Sequence, residues 1–75
     1  MTKEVVVKAR DCYVLERLLN KLQLAQKVGD IEVKFVDWTK NEVELKLAKP
    51  EYMGWLENLV AVWNKYLGKG ALEVI

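Results

Sequence analysis

Seventy-five residues, 52% of them hydrophobic, with one cysteine and no histidine, describe a single small domain spanning 1–75. It can form no internal disulfide and has no ligand set for zinc, haem or an iron–sulfur cluster. Twelve basic and eleven acidic residues are spread along the chain for a formal net charge of +1, without the basic surplus typical of nucleic-acid binding or the like-charge run of a membrane-surface patch.

At this length the gain from burial and the loss of conformational entropy nearly cancel, so the chain needs an unusually good core or a partner. The opening "MTKEVVVKARD" has too short an apolar run for a signal peptide, and no segment is long enough to cross a bilayer. A cytoplasmic location is the expectation. Lysine far outnumbers arginine, glutamate is abundant and glutamine is scarce, a mix that leans toward a thermophilic source.

"EVVVKA" (4–9) is β-branched and reads as a strand, with Val5, Val7 and Ala9 on one face and Val6 and Lys8 on the other. Asp11 is suited to accept from the free N–H groups of a helix start. The helix, about 12–28, carries Val14, Leu15, Leu18, Leu19, Leu22 and Ala25 on one side and polar residues, Lys27 among them, on the other. Gly29 stands where a left-handed closing residue is wanted.

The second and third strands, "IEVKFVDW" (31–38) and "EVELKLA" (42–48), form a hairpin whose register depends on the turn. A two-residue loop mixes apolar and charged residues on both faces. A three-residue loop, Thr39-Lys40-Asn41, sets Phe35 opposite Leu45 and Val33 opposite Leu47, with Asn41 left-handed. This predicts an apolar face of Ile31, Val33, Phe35, Val43, Leu45 and Leu47. The mixed face holds Lys34, Val36, Trp38, Glu44 and Lys46.

Pro50 suits the first turn of a second helix, which runs to about Leu67 and stops at Gly68. Its apolar arc, from Tyr52 to Leu67, covers about half the circumference. "ALEVI" (71–75) reads as the last strand.

This βαββαβ order, over the whole chain, resembles the ferredoxin-like plait, which implies an α+β fold: a four-stranded antiparallel sheet with two helices on one face. The first and third strands are then central, and the second lies at an edge. That fold carries many unrelated functions. The size and order also resemble stand-alone amino-acid-binding regulatory modules of archaea and bacteria. "DWTKNE" resembles their aromatic–aspartate pair before the third strand, though the glycine-rich turn is missing. "VELKLAKPEYMGWLENLVAVW" resembles in pattern the small dimerising subunit of the archaeal tRNA-modifying KEOPS complex, without a diagnostic motif.

No serine and no histidine are present, so the usual triads and proton shuttle are missing and no catalytic residue is expected. The expectation is equally of no cofactor and no metal. Cys12, at a helix start beside Arg10, is spaced wrongly from Arg17 for a cysteine phosphatase loop and reads as a bystander. Arg10 and Cys12 mark a candidate anion site, unless Asp11 already occupies those N–H groups. "GKG" (68–70) lacks the strand-to-helix setting of a nucleotide loop. The outward positions of the central strands (Val6, Lys8, Glu44, Lys46) hold no ring to stack an RNA base.

Two apolar surfaces remain. On the uncovered sheet face Val6, Val36 and Trp38 form a patch, which the last strand extends with Ala71 and either Ile75 or its neighbours. A bulge near Asp37 that turns Trp38 back to the core is the alternative. On the second helix Trp55, Val62 and Tyr66 exceed what a sheet alone covers, and either pack on the first helix or face a partner. The expected function is therefore a non-enzymatic association module, a homodimer or a subunit of a larger complex. An RNA- or ribosome-associated subunit is the first alternative, and a regulatory domain binding a small ligand in a dimer cleft is the second.

Overall fold

Six elements succeed one another in the computed structural model, which describes residues 2–29 and 31–75 and, within α1, leaves out the side chains of Ala25, Lys27 and Val28. The sides assigned above to Ala25 and Lys27 therefore lie outside the described part. The elements are β1 (Lys3–Ala9), α1 (Cys12–Val28), β2 (Ile31–Asp37), β3 (Glu42–Leu47), α2 (Tyr52–Leu67) and β4 (Leu72–Val74). The strands form one sheet in the order β2-β3-β1-β4, every neighbouring pair antiparallel. This is the ferredoxin-like α+β plait, with β2 and β4 at the edges.

Local chemistry explains the helix ends. Asp11 is extended and its carboxylate accepts from the Val14 N–H at 2.9 Å, while Gly29 closes α1 in the left-handed region at φ 85° and donates to the Gln26 carbonyl. Both satisfy groups that a helix leaves open. Pro50 precedes α2 in a turn where the Met53 N–H donates to the Pro50 carbonyl.

The core lies between the helices and one sheet face. Val7, Leu15, Leu18, Leu22, Val43, Leu45, Leu47 and Leu56 are sealed from solvent, with Val5, Ala9, Val14, Ile31, Leu59 and Leu72 around them. Each buried leucine side chain contributes about 1.5–3 kcal/mol of transfer free energy. Strict alternation along β3, the central strand between β2 and β1, supplies three of these positions.

The hairpin departs from the expected register. Ile31 pairs with Leu47 and Val33 with Leu45, but Phe35 pairs with Glu44, Val36 with Val43 and Asp37 with Glu42. Lys34 is an extra residue, a β-bulge. Beyond it the phase of β2 inverts: Phe35 emerges on the uncovered face, and Val36 turns inward to pack against the core. The connection has four residues, 38–41, so Trp38 belongs to the turn rather than to a strand. Asn41 is left-handed, at φ 56°, as the sequence required.

The cause is that both ends of β2 are pinned. At one end the Asp37 carboxylate accepts from the Thr39 N–H at 3.0 Å, the Thr39 hydroxyl at 2.5 Å and the Lys40 N–H at 3.2 Å, which holds the turn. At the other end Ile31 is buried opposite Leu47. Between these anchors β2 has seven residues and β3 six. The surplus residue must leave the ladder, and Lys34, charged and exposed, is the one whose expulsion costs least.

Asn64 supplies the other unexpected contact. The helical pattern puts it on the polar half of α2. Its amide instead donates to the Leu72 carbonyl at 3.0 Å, and its side-chain oxygen accepts from the Leu72 N–H at 2.8 Å. This satisfies the outward backbone groups of β4. Asn64→Ala is expected to destabilise by about 1–3 kcal/mol in denaturant titration, because it strands both groups of a buried residue. Deleting Lys34 should leave a cooperative thermal transition and native far-UV circular dichroism, since it removes the bulge without changing register. Deleting Glu44 from β3 should abolish that transition, because it forces core residues onto the wrong face.

Candidate interaction surfaces

The uncovered sheet face is organised in rows that run across the strands. In the middle row Phe35 of β2 stands opposite Glu44 of β3, and Glu44 opposite Val6 of β1. Ile75, just past β4, donates its N–H to the Val6 carbonyl at 2.8 Å and so joins the row. Phe35 is 61% exposed and Ile75 65%, while Val6 between them is half-buried. An apolar band interrupted by one carboxylate thus crosses all four strands.

Charged rows flank it. On one side run Glu32, Lys46 and Glu4; on the other Asp37, Glu42, Lys8 and Glu73. The Lys34 ammonium reaches over β3 to the Glu4 carboxylate at 2.7 Å. The face as a whole carries six carboxylates and three lysines, a net charge of −3.

The sheet patch expected from alternation is therefore revised. Val6 keeps its place, and Ile75 joins it. Val36 leaves the surface because the bulge turns it toward the core, and Phe35 takes its position. The displacement arises at Lys34 rather than near Asp37. Trp38 is 51% exposed in the turn, neither part of the ladder nor enclosed in the core. Ala71 is buried and adds nothing to the patch.

The second surface lies on the helix layer. Trp55, Val62 and Tyr66 are seven and four residues apart, which aligns them along one edge of α2. All three remain exposed, Tyr66 at 77%, so α1 does not cover this edge. Asn64 holds the opposite edge to β4, so the stripe looks toward α1. There Arg17, Val62, Trp63, Tyr66 and Leu67 line an open groove of about 200 Å³. Arg17 donates to the Tyr13 hydroxyl at 3.2 Å, with its guanidinium 5.7 Å from that ring's centroid. Lys21 is exposed one turn further along α1 on the same side. Among the described residues neither Arg17 nor Lys21 forms an ion pair, so the groove keeps a positive border.

Arg10 and Cys12 do not converge on an anion site. The Arg10 guanidinium donates to the Leu67 carbonyl at 3.0 Å, satisfying the last turn of α2, and lies 3.7 Å from the Asp11 carboxylate. Asp11 in turn caps α1, and Cys12 is exposed beside it. A second depression of about 170 Å³ lies among Thr2, Gly29, Glu32, Lys46 and Ala48. Both hollows are smaller than the roughly 300–1,000 Å³ usual for small-molecule sites. No group of three or more potential metal-ligating side chains gathers among the described residues. No described helix is long and apolar enough to cross a membrane.

Phe35 is the surface residue that sequence reasoning missed. The signal was present in "DWTKN": an aspartate two residues before a threonine marks a side-chain-capped turn, and placing the turn there leaves one residue too many in β2. Comparison with known protein families, characterised proteins and solved structures gives no match.

The charged rows make stability depend on pH in a defined sense. Glu4 titrates below its ordinary range because of the hydrogen bond and attraction from Lys34, and Asp37 does so chiefly because of the Thr39 hydroxyl. Lys34 titrates above its ordinary value through Glu4. A depressed carboxylate stabilises the fold above its unfolded pKa and loses that contribution as pH falls through the folded value; a raised lysine loses its contribution as pH rises through the folded value. The thermal midpoint should therefore fall below about pH 4 and again above about pH 10. In Asp37→Asn the acid-side fall should shrink, which thermal melts across pH will measure.

Proposed function

We infer that the protein is a non-enzymatic association module whose exposed apolar surfaces engage other protein chains, copies of itself first. The observation that carries this reading is the band Phe35–Val6–Ile75 across the uncovered sheet face, edged by charged rows. A monomer gains nothing from leaving such side chains in water, and an apolar strip within a polar rim is the composition of a protein interface. The aromatic stripe on α2 beside Arg17 adds a second surface of the same character, rich in the residue types that dominate interface energetics.

The charge of the sheet face weighs against an RNA- or ribosome-associated role through that surface, because a polyanion would meet net negative charge. The two hollows described above are too small to support a ligand sensor by themselves, and the pairing of Arg10 with Leu67 leaves little to hold an anion beside Cys12. Catalysis finds no support in the placement of the described titratable groups: no charged side chain is buried, and the shifted ones lie on the exposed sheet face and its turn.

The expected outcome is a solution mass that rises with concentration in sedimentation or light scattering. Phe35→Lys should lower that mass toward the monomer with little change in the thermal midpoint, because the ring is 61% exposed and lies outside the core. A wild-type mass that stays monomeric to several hundred micromolar would end this reading.

A further inference from the structure

We propose that copies of this chain associate head to tail, the sheet face of one seated on the α1–α2 groove of the next. This rests on the association reading above and specifies which surfaces meet. The argument begins with charge. Each sheet face carries net −3, so two sheet faces brought together would set like charge against like. Two helix grooves would do the same with Arg17 and Lys21 from each copy. Only the unlike pairing sets the acidic rows against the basic border, and electrostatic complementarity of this kind selects orientation more than it adds affinity.

Dimensions agree with that pairing. The apolar band crosses three inter-strand spacings, roughly 14 Å at about 4.8 Å each. The stripe from Trp55 to Tyr66 spans eleven helical steps, about 16 Å at 1.5 Å per residue. Phe35, Val6 and Ile75 thus present a strip of the same length as Trp55, Val62 and Tyr66. Strands of seven, seven, six and three residues, at about 3.3 Å per residue and about 4.8 Å between strands, make a face of roughly 360 Å², which places the buried area of both partners at roughly 700 Å², in the range of weak and transient encounters. The association is therefore weak and reversible, and growth is set by concentration.

An unlike-surface contact does not terminate at two copies. Every bound copy still offers one free sheet face and one free groove, so the assembly extends to a ring if the rotation closes and to a filament if it does not.

Two variants test this by sedimentation velocity and light scattering, with circular dichroism confirming that each is folded. Phe35→Lys blocks the sheet face and keeps the groove. Tyr66→Glu blocks the groove and keeps the sheet face. The expected result is that wild type exceeds the mass of a dimer at several hundred micromolar, each variant alone stays monomeric, and their equimolar mixture forms a complex of two chains that grows no further. If either variant alone retains the wild-type mass, or the mixture stays monomeric, the head-to-tail pairing is wrong while self-association stands. If wild type itself never associates, both readings fall together. Salt gives a measurement free of mutation: raising it from about 50 mM to about 1 M screens the unlike faces and should lower the wild-type mass. A mass that rises with salt would indicate like-charged faces meeting and overturn the proposal.

Discussion

Seven residues of β2 run alongside six of β3, and both ends of the pairing are held. The Asp37 carboxylate secures the turn through Thr39 and Lys40, and Ile31 is locked into the core opposite Leu47. A strand pair cannot absorb the difference by stretching, since each residue advances about 3.3 Å and alternates face. One residue must bulge, and every side chain beyond it changes sides. Phe35 is exposed and Val36 is half-buried for this reason alone. The character of the outer surface thus follows from a single surplus residue at an edge.

The same bulge bears on the association proposed above. Edge strands are ordinarily templates for sheet extension. Here β2 is interrupted at Lys34, whose ammonium is drawn over the sheet to Glu4. At the other edge β4 is three residues long, and the outward N–H and carbonyl of Leu72 are taken by Asn64. Both edges are blunted by different chemistry. The faces are left open: one acidic with an apolar band, the other an aromatic stripe with a basic border. Association through faces and side chains, rather than through backbone pairing, is the mode this distribution supports.

The charge arrangement is invisible in the totals. A formal net charge of +1 suggests an evenly mixed surface, yet the sheet face carries −3 and the helix groove carries Arg17 and Lys21 without ion-paired carboxylates among the described residues. The strands bring this about by alternation: the outward positions of β1 and β3 (Glu4, Val6, Lys8, Glu42, Glu44 and Lys46) carry a net −1, and Glu32, Lys34, Asp37 and Glu73 of the edge strands add −2. An electrically near-neutral small domain can in this way hold two surfaces of opposite sign.

Element order, helix limits, caps and most of the core were legible in the sequence because they rest on local chemistry and periodicity: Asp11 and Gly29 at the ends of α1, Asn41 in the left-handed turn, and alternating apolar residues along β1 and β3. From that order and the handedness of crossovers, the plait and its edge strands followed. Three things were decided only by the tertiary structure. The face taken by Phe35, Val36 and Trp38 depends on how many residues lie between two fixed points of a strand pair, which periodicity within β2 alone does not count. Asn64 became a clamp rather than a solvated residue because β4 happens to lie within reach of its amide. The exposure of Trp55, Val62 and Tyr66 depends on how far α1 stands from α2. Local sequence sets what each element is, whereas the distances between elements, which no single segment encodes, set which of its residues remain in water.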